Sequence, residues 1–326
     1  MSWWRGESTT SAVAVVEPPP APRGVLQVCH PEWRGVRESA RAFGDPVVTS
    51  PDLADLIPSL AAWTEAGIAT LVVQGWPPGA GAFTRAAANA GFDIRAVFHS
   101  APSQHGVDAG EAEAVSEMLG LARSDVIGRV ATVKDGVVPA FRAAGFDITH
   151  LENRVPDVSA TPISPAGSSP HLGIFLFPMW RKNVTTQILA ALELGGTAHV
   201  MAQPAVDYLS GAPVVEHGEL GRQELLSAVS GMDLTLNVTL SECHPMMPME
   251  SYRLGVPCLI SQTSNLFADD PILHDLTTVA KADDPHAIAE GARELLDRRD
   301  EAVERAKAAL DALDARAMAS WIAFTA

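Results

Sequence analysis

Cysteine is scarce. Cys29, Cys243 and Cys258 are the only three in 326 residues, an odd set without a Cys-x-x-Cys pair. That suits a reducing compartment better than a disulfide scaffold and argues against a zinc site, so a cytoplasmic location is expected. Positive charge is scarce too: 23 Lys and Arg against 39 Asp and Glu leave a formal net charge of −16. Long-range attraction to nucleic acid or an anionic bilayer is therefore not expected, although a diphosphate pocket needs only one or two local cations. No apolar run reaches membrane-spanning length, and the start, MSWWRGESTTSAVAVVEPPP, lacks a charged lead followed by a long apolar core. The patterns Gly-x-Ser-x-Gly, His-Glu-x-x-His and the phosphate-loop signature are missing, which removes the usual handles for hydrolases, zinc peptidases and phosphate-loop enzymes. GWPPGAG, 75–81, lacks the strand-glycine-helix arrangement of a dinucleotide fingerprint, so NAD binding is not expected.

What is present is an ordinary globular composition, 47% hydrophobic and 19% charged, in a chain long enough for two domains. Residues 1–22, ending in EPPPAPR, read as a flexible Pro-rich leader whose Trp3 and Trp4 would tuck back or anchor on a partner. Beyond it short apolar runs alternate with amphipathic ones. GVLQVC (24–29), ATLVVQ (69–74), DIRAVFH (93–99), VIGRVATV (126–133) and FDITHLE (146–152) predict buried strands, with helical stretches between them that stop at glycine. Strand-helix-strand repetition implies parallel sheets with helices on both faces. An N-terminal Rossmann-like acceptor domain is expected over 23–155.

PDVSATPISPAGSSP, 156–170, has a linker's composition. The alternation then restarts, predicting a second Rossmann-like domain over 171–307 with strands at HLGIFLF, TAHVMA, APVVEH, LTLNVTL, PCLIS and TTVAK. Asp284 before Pro285 predicts a helix start. The last stretch, 308–326, is helical in period and ends in an apolar tip, Trp321, Ile322 and Phe324, for which the first domain is the expected surface.

The chemistry concentrates in LTLNVTLSECHPMMPMESYRLGVPCLIS, 234–261. A strand ending at Leu240, a loop carrying Glu242 and a helix from about Pro248 with Glu250 in its first turn would bring both carboxylates to the carboxyl edge of a parallel sheet, where ligands bind. There a carboxylate accepts from ribose hydroxyls and free helical N–H groups face a diphosphate. His244 lies in the loop, facing phosphate or sugar or packed beneath Met246 and Met247, which with Met249 read as an irregular pocket wall. Arg34, Gly35 and Arg37 stand at a strand-to-helix turn, a place for an acceptor or a phosphate.

Glu242 and Glu250, eight positions apart and followed by GVPCLIS, resemble the Glu-x7-Glu element of the retaining glycosyltransferase family 4, whose fold is of GT-B type. That resemblance implies a donor-sugar contact for Glu242 and a ribose contact for Glu250. FPMWRKNVTTQILAALEL resembles the family's basic pair at a helix start, which implies a diphosphate contact for Lys182, with Arg181 beside it. HLENRVPD resembles the end of the family's first domain, and His99 resembles a first-domain histidine that reaches the transferred sugar. It implies a hexosyltransferase using a nucleoside-diphosphate sugar and a hydroxyl acceptor, metal-independent and retaining, with no cofactor and with the last helix crossing back to the first domain. No Asp-x-Asp occurs, which argues against the metal-dependent GT-A type. Two departures stand out: Cys243, His244 and Pro245 replace Gly-Phe-Gly, and Phe177 replaces an arginine. A nucleotide-sugar 2-epimerase and a non-catalytic module that binds a nucleotide sugar or a partner remain alternatives, and a homodimer stays open.

Overall fold

The computed structural model describes residues 15–165, 167 and 169–326; Trp3 and Trp4 lie outside them. The chain forms two compact units, one joining the described residues up to Val97 with Ala114–Val130, the other joining Phe98–Glu113 with Ala131–Ala326.

Two six-stranded parallel sheets are surrounded by helices. The first contains β1 (Val25–Cys29), β2 (Val47–Thr49), β3 (Thr70–Gln74), β4 (Asp93–Phe98), β5 (Arg129–Thr132) and β6 (Ile148–His150), ordered β2-β1-β3-β4-β5-β6. Every residue of β1 and β3 is buried, as strands covered by helices on both faces must be. The five strands expected in this half are present, each trimmed at its ends. β2 was not foreseen. It is three residues between Pro46 and Ser50, pairs only with β1, and is too short for a readable alternation.

At the switch of this sheet, between β1 and β3, Gly75 has φ +72° and a Cβ there would lie 2.7 Å from the Trp33 ring. Trp33 in turn stacks on His30, with ring centroids 5.2 Å apart. The turn that carries Arg34 is thus packed with aromatic surface. Val16, in the described part of the leader, is tied to this unit: its N–H donates to Ser59 Oγ at 2.8 Å and its carbonyl accepts from Trp63 Nε1 at 2.8 Å.

The second sheet contains β7 (His171–Ile174), β8 (Thr197–Val200), β9 (Val214–Glu216), β10 (Leu234–Asn237), β11 (Cys258–Ser261) and β12 (Thr278–Val279), ordered β12-β11-β10-β7-β8-β9. Strand order reverses between β7 and β10, so the loops leaving these two strands diverge and open the crevice where sheets of this kind take ligands. Asp284 caps the Pro285–Asp297 helix as expected, accepting from His286 N at 3.0 Å and Ala287 N at 3.2 Å. The final helix is one element, Arg299–Thr325, running unbroken through 307 and 308 and burying Ala302, Ala306, Leu310, Leu313, Ala317, Trp321 and Phe324. Steps of three and four residues keep these on one stripe. Ile322 of the apolar tip stays exposed.

Residues of the expected linker lie along the Arg222–Ser230 helix. Ile163 N–H donates to Ser227 O at 3.1 Å, and a Cβ on Gly231 would sit 2.0 Å from Ile163 O. Only a bare Cα permits that approach. Gly231→Ala must displace backbone rather than a side-chain tip, and is expected to lower stability by about 1–3 kcal/mol in urea unfolding.

Three imidazoles form a chain across β7, β8 and the residue after β9. His171 Nδ1 lies 3.0 Å from His199 Nε2, and His199 Nδ1 lies 2.9 Å from His217 Nε2. Burial, then the neighbouring His217 and His171, push His199 down to about 4, from an ordinary 6.5. Between those values the unfolded chain binds a proton that the folded one refuses, so the His199 contribution is present above pH 6.5 and is lost as pH falls toward 4. A His199→Asn variant is expected to show a shallower fall of melting temperature across that window than the wild type.

Candidate active site

The β7–β10 crevice of the second unit is built from side chains that clamp backbone. After β7 the chain turns through a short 3-10 stretch, Trp180–Lys182, and enters the Val184–Glu193 helix by way of Asn183, whose φ of +55° is one that asparagine tolerates. Asn183 Nδ2 reaches Val238 O at 3.2 Å, and also bonds Ala282 O. Gln187, fully buried on the next turn, donates from Nε2 to Lys182 O at 2.8 Å and accepts at Oε1 from Val238 N at 2.9 Å. Leu240 N–H donates to Arg181 O at 2.8 Å. The basic turn and the loop after β10 are thereby held as one piece.

That clamp brings Lys182 Nζ onto Glu242 Oε2, joining two residues singled out in the sequence 60 positions apart. Glu242 is buried, with 9% of its side chain exposed, and Oε1 also accepts from Cys243 N at 3.1 Å. Burial alone would raise its pKa. The Lys182 ammonium, by charge and by hydrogen bond, then Arg181 and the Cys243 N–H outweigh it, and the carboxyl titrates below its ordinary 4.5. The site therefore presents an anion beside two cations. Burial and the adjacent Glu242 charge push the Cys243 thiol up to about 12, so it is not a thiolate nucleophile.

Glu250 is held differently from expectation. The helix runs Met246–Arg253 from an N-cap at Pro245, and its first turn contains no acidic residue. Glu250 lies in the second turn because the helix begins two residues before Pro248. Its carboxylate is thus not among the free N–H groups, and Pro248 contributes none to that end. Glu250 Oε1 instead receives Arg222 Nη1 from the start of the Arg222–Ser230 helix, with side-chain exposures of 5% and 29%. Arg222 was missed in the sequence. It stands 28 positions upstream of Glu250, after a Gly-Glu-Leu-Gly turn, and only its place at a helix start on the same sheet edge could have flagged it.

His244 is buried, and Asn153 Nδ2 donates to its carbonyl at 2.7 Å. Burial, then the charges of His150 and others, push its imidazole down to about 3, so at neutral pH it is no cationic phosphate clamp. Met246 and Met247 are half-buried and Met249 is fully buried. His99 follows β4, partly buried, and desolvation lowers it to about 4. Four residues on, Ser103 Oγ lies 2.7 Å from Ser241 Oγ, so within the second unit the segment begun by His99 abuts the residue before Glu242. Arg34 and Gly35 open the Arg34–Ala42 helix of the first unit, and nothing lies within 4 Å of where a Gly35 Cβ would be. Phe177 is about half exposed. Among the described residues no helix is long and apolar enough to cross a membrane.

The charge pair makes stability depend on pH with a definite sign. Because the folded Glu242 carboxyl titrates below 4.5, its stabilisation is present above that pH and is lost as pH falls through the folded value. Its burial lies between that of exposed pairs, about 0–1 kcal/mol, and fully buried ones, about 3–5 kcal/mol when broken. Glu242→Gln is expected to cost about 2 kcal/mol at pH 7, and the gap in urea midpoint between variant and wild type should close below pH 4.5.

No protein-family model matches this sequence, and no curated protein matches it. Solved structures do. The chain is similar to Anabaena Alr3699/HepE, crystallised in complex with UDP, at 13% identity and TM-score 0.64, covering 92% of this chain and 99% of that one. It is similar to sucrose-phosphate synthase from Thermosynechococcus elongatus at 14% identity and TM-score 0.62, covering 85% and 79%. It is similar to an α,α-trehalose 6-phosphate synthase from Burkholderia multivorans at 15% identity and TM-score 0.61, covering 89% and 79%. At such identities the likeness is one of fold: the two-domain α/β architecture of GT-B type, as the sequence pattern predicts.

Proposed function

We propose that the chain is a glycosyltransferase that moves a hexosyl group from a nucleoside-diphosphate sugar to an acceptor hydroxyl, without a divalent ion and with retention. The observation that carries this reading is the Lys182–Glu242 pair, which stands where the loops leaving β7 and β10 diverge. An anion facing sugar hydroxyls and a cation facing diphosphate are the two things such a donor demands, and the pair supplies both in direct hydrogen-bond contact. The fold likeness supports the same reading, since one neighbour was crystallised with UDP and others are named as synthases of sugar phosphates.

In this reading Lys182 and Arg181 neutralise the charge that grows on the departing diphosphate as the bond from sugar C1 to phosphate oxygen breaks. The N–H groups opening the Val184–Glu193 helix add to that field. Glu242 accepts hydrogen bonds from the transferred sugar, and Glu250 from the ribose. The new bond joins C1 to the acceptor oxygen, whose proton passes to the departing phosphate oxygen, which keeps the electron pair of the broken bond. Neutral His99 and His244 suit hydrogen bonds to hydroxyls rather than charge compensation.

A thermal-shift panel of UDP, ADP and GDP tests the donor site. A ligand at ~100 times its dissociation constant adds roughly 2.7 kcal/mol of stability, so one base is expected to stand out, and Glu250→Gln to erase its shift. Equal shifts in wild type and variant would remove Glu250 from the ribose role. Incubation with the matching nucleotide sugars then separates the activities: slow release of nucleoside diphosphate marks a transferase, inversion at C2 an epimerase, and neither a binding module.

A further inference from the structure

Glu250 cannot be understood alone. Its side chain is 5% exposed, and a charge withdrawn from water to that degree requires a partner. The partner is Arg222, whose Nη1 meets Oε1, while the described residues provide no hydrogen bond to Oε2.

Arg222 is itself rigidly placed. It is the first residue of the Arg222–Ser230 helix, whose start is closed by Gly221 N–H donating to Glu224 Oε2 at 2.8 Å. Leu225, Ala228 and Val229 bury the same helix in a cluster with Phe175, Met201 and Val256. The contact is a single one, Nη1 to Oε1, so the helix-anchored guanidinium decides which carboxylate oxygen is engaged and from which side, a directional hold that a point-charge ammonium gives less well.

We infer that Arg222 is a positioning residue: by occupying Oε1 it orients the Glu250 carboxylate so that Oε2 is offered to a vicinal diol, making the site select ribonucleoside over 2′-deoxyribonucleoside diphosphates. This rests on the reading of Glu250 as the ribose contact and adds to it a cause for selectivity. A carboxylate free to rotate would accept from whichever hydroxyl came first. One locked by Arg222 favours two adjacent hydroxyls in a fixed orientation.

The test measures dissociation constants of UDP and 2′-deoxy-UDP, with the ADP and GDP pairs alongside, by calorimetry on the full chain. A hydrogen bond to a charged group is worth ~1.5–3 kcal/mol, so the wild type should prefer the ribo form at least about tenfold. Glu250→Gln should reduce that preference to within about twofold, and Arg222→Gln should do the same, with Arg222→Lys between them. A merely structural role for Arg222 would weaken both members of each pair equally and leave the ratio unchanged. If Glu250→Gln leaves the ratio at its wild-type value, the ribose reading itself falls and the inference with it. If Glu250→Gln abolishes the preference while both Arg222 variants keep it, positioning by Arg222 is overturned and the ribose reading stands. Should Arg222→Gln fail to fold, Arg222→Lys decides: a wild-type ratio overturns the inference and a reduced one supports it.

Discussion

The arrangement of the second unit depends on bringing a buried carboxylate and an ammonium together across the point where its sheet reverses strand order. Neither Lys182 nor Glu242 would be stable there alone, because withdrawing a single charge from water costs several kcal/mol. Their meeting is arranged by neutral groups. Gln187 bonds the carbonyl of Lys182 and the amide of Val238, Asn183 bonds the carbonyls of Val238 and Ala282, and Leu240 bonds the carbonyl of Arg181. These bonds fix backbone, so the side chains extend from two loops that cannot drift apart. Preorganisation of this kind is what an electrostatic site requires, since fixed charges need no reorganisation when the ligand's own charge develops.

The same economy of charge runs through the rest of the unit. A chain with a formal net charge of −16 has few cations to place, and several of them are assigned to particular carboxylates. Arg222 takes Glu250. Arg253 reaches Asp311 and, at 2.9 Å, Asp314, and also donates to Val155 O at 3.2 Å. Arg305 spans both oxygens of Asp270 at 2.8 and 2.9 Å. Histidines are used in the opposite sense, with His99, His199 and His244 all driven toward the neutral form chiefly by burial. Charge near the crevice is therefore carried by lysine, arginine and glutamate rather than by histidine.

Much of this was legible in the sequence, because parallel sheets buried on both faces leave continuous apolar runs and the interruptions between them carry glycine, proline and caps. Eleven of the twelve strands could be placed, the Asp284 cap was readable from Asp-Pro, and Lys182 and Glu242 could each be placed after a strand of one half, although their direct pairing was not. What escaped notice was tertiary. β2 is three residues between Pro46 and Ser50 and has no period to detect. Gln187 reads as an ordinary helical glutamine until its two backbone partners are seen. Arg222 and Glu250 share no local pattern, since their meeting depends on how two helices pack. The start of the Met246–Arg253 helix was misjudged because Pro248 was taken as the first residue. Proline is equally at home deeper in the first turn, where its missing N–H goes unneeded.

The loop after Glu242 shows how a departure from a familiar pattern can remain coherent. Glycines in such a loop would let backbone amides approach a ligand closely. Here the Cys243 amide is already used by Glu242 Oε1, the His244 carbonyl by Asn153, and Pro245 has no N–H to give and caps the helix that carries Glu250. Using the Cys243 N–H for a ligand would mean breaking its bond to Glu242, at a cost of about 1 kcal/mol or more. What this loop keeps available on its side is side chains: Glu242, which pairs with the ammonium of Lys182, and Glu250, which pairs with Arg222. Both carboxylates are therefore fixed through a cation that the chain itself supplies, which makes Lys182 and Arg222 as consequential for the geometry of this crevice as the glutamates themselves.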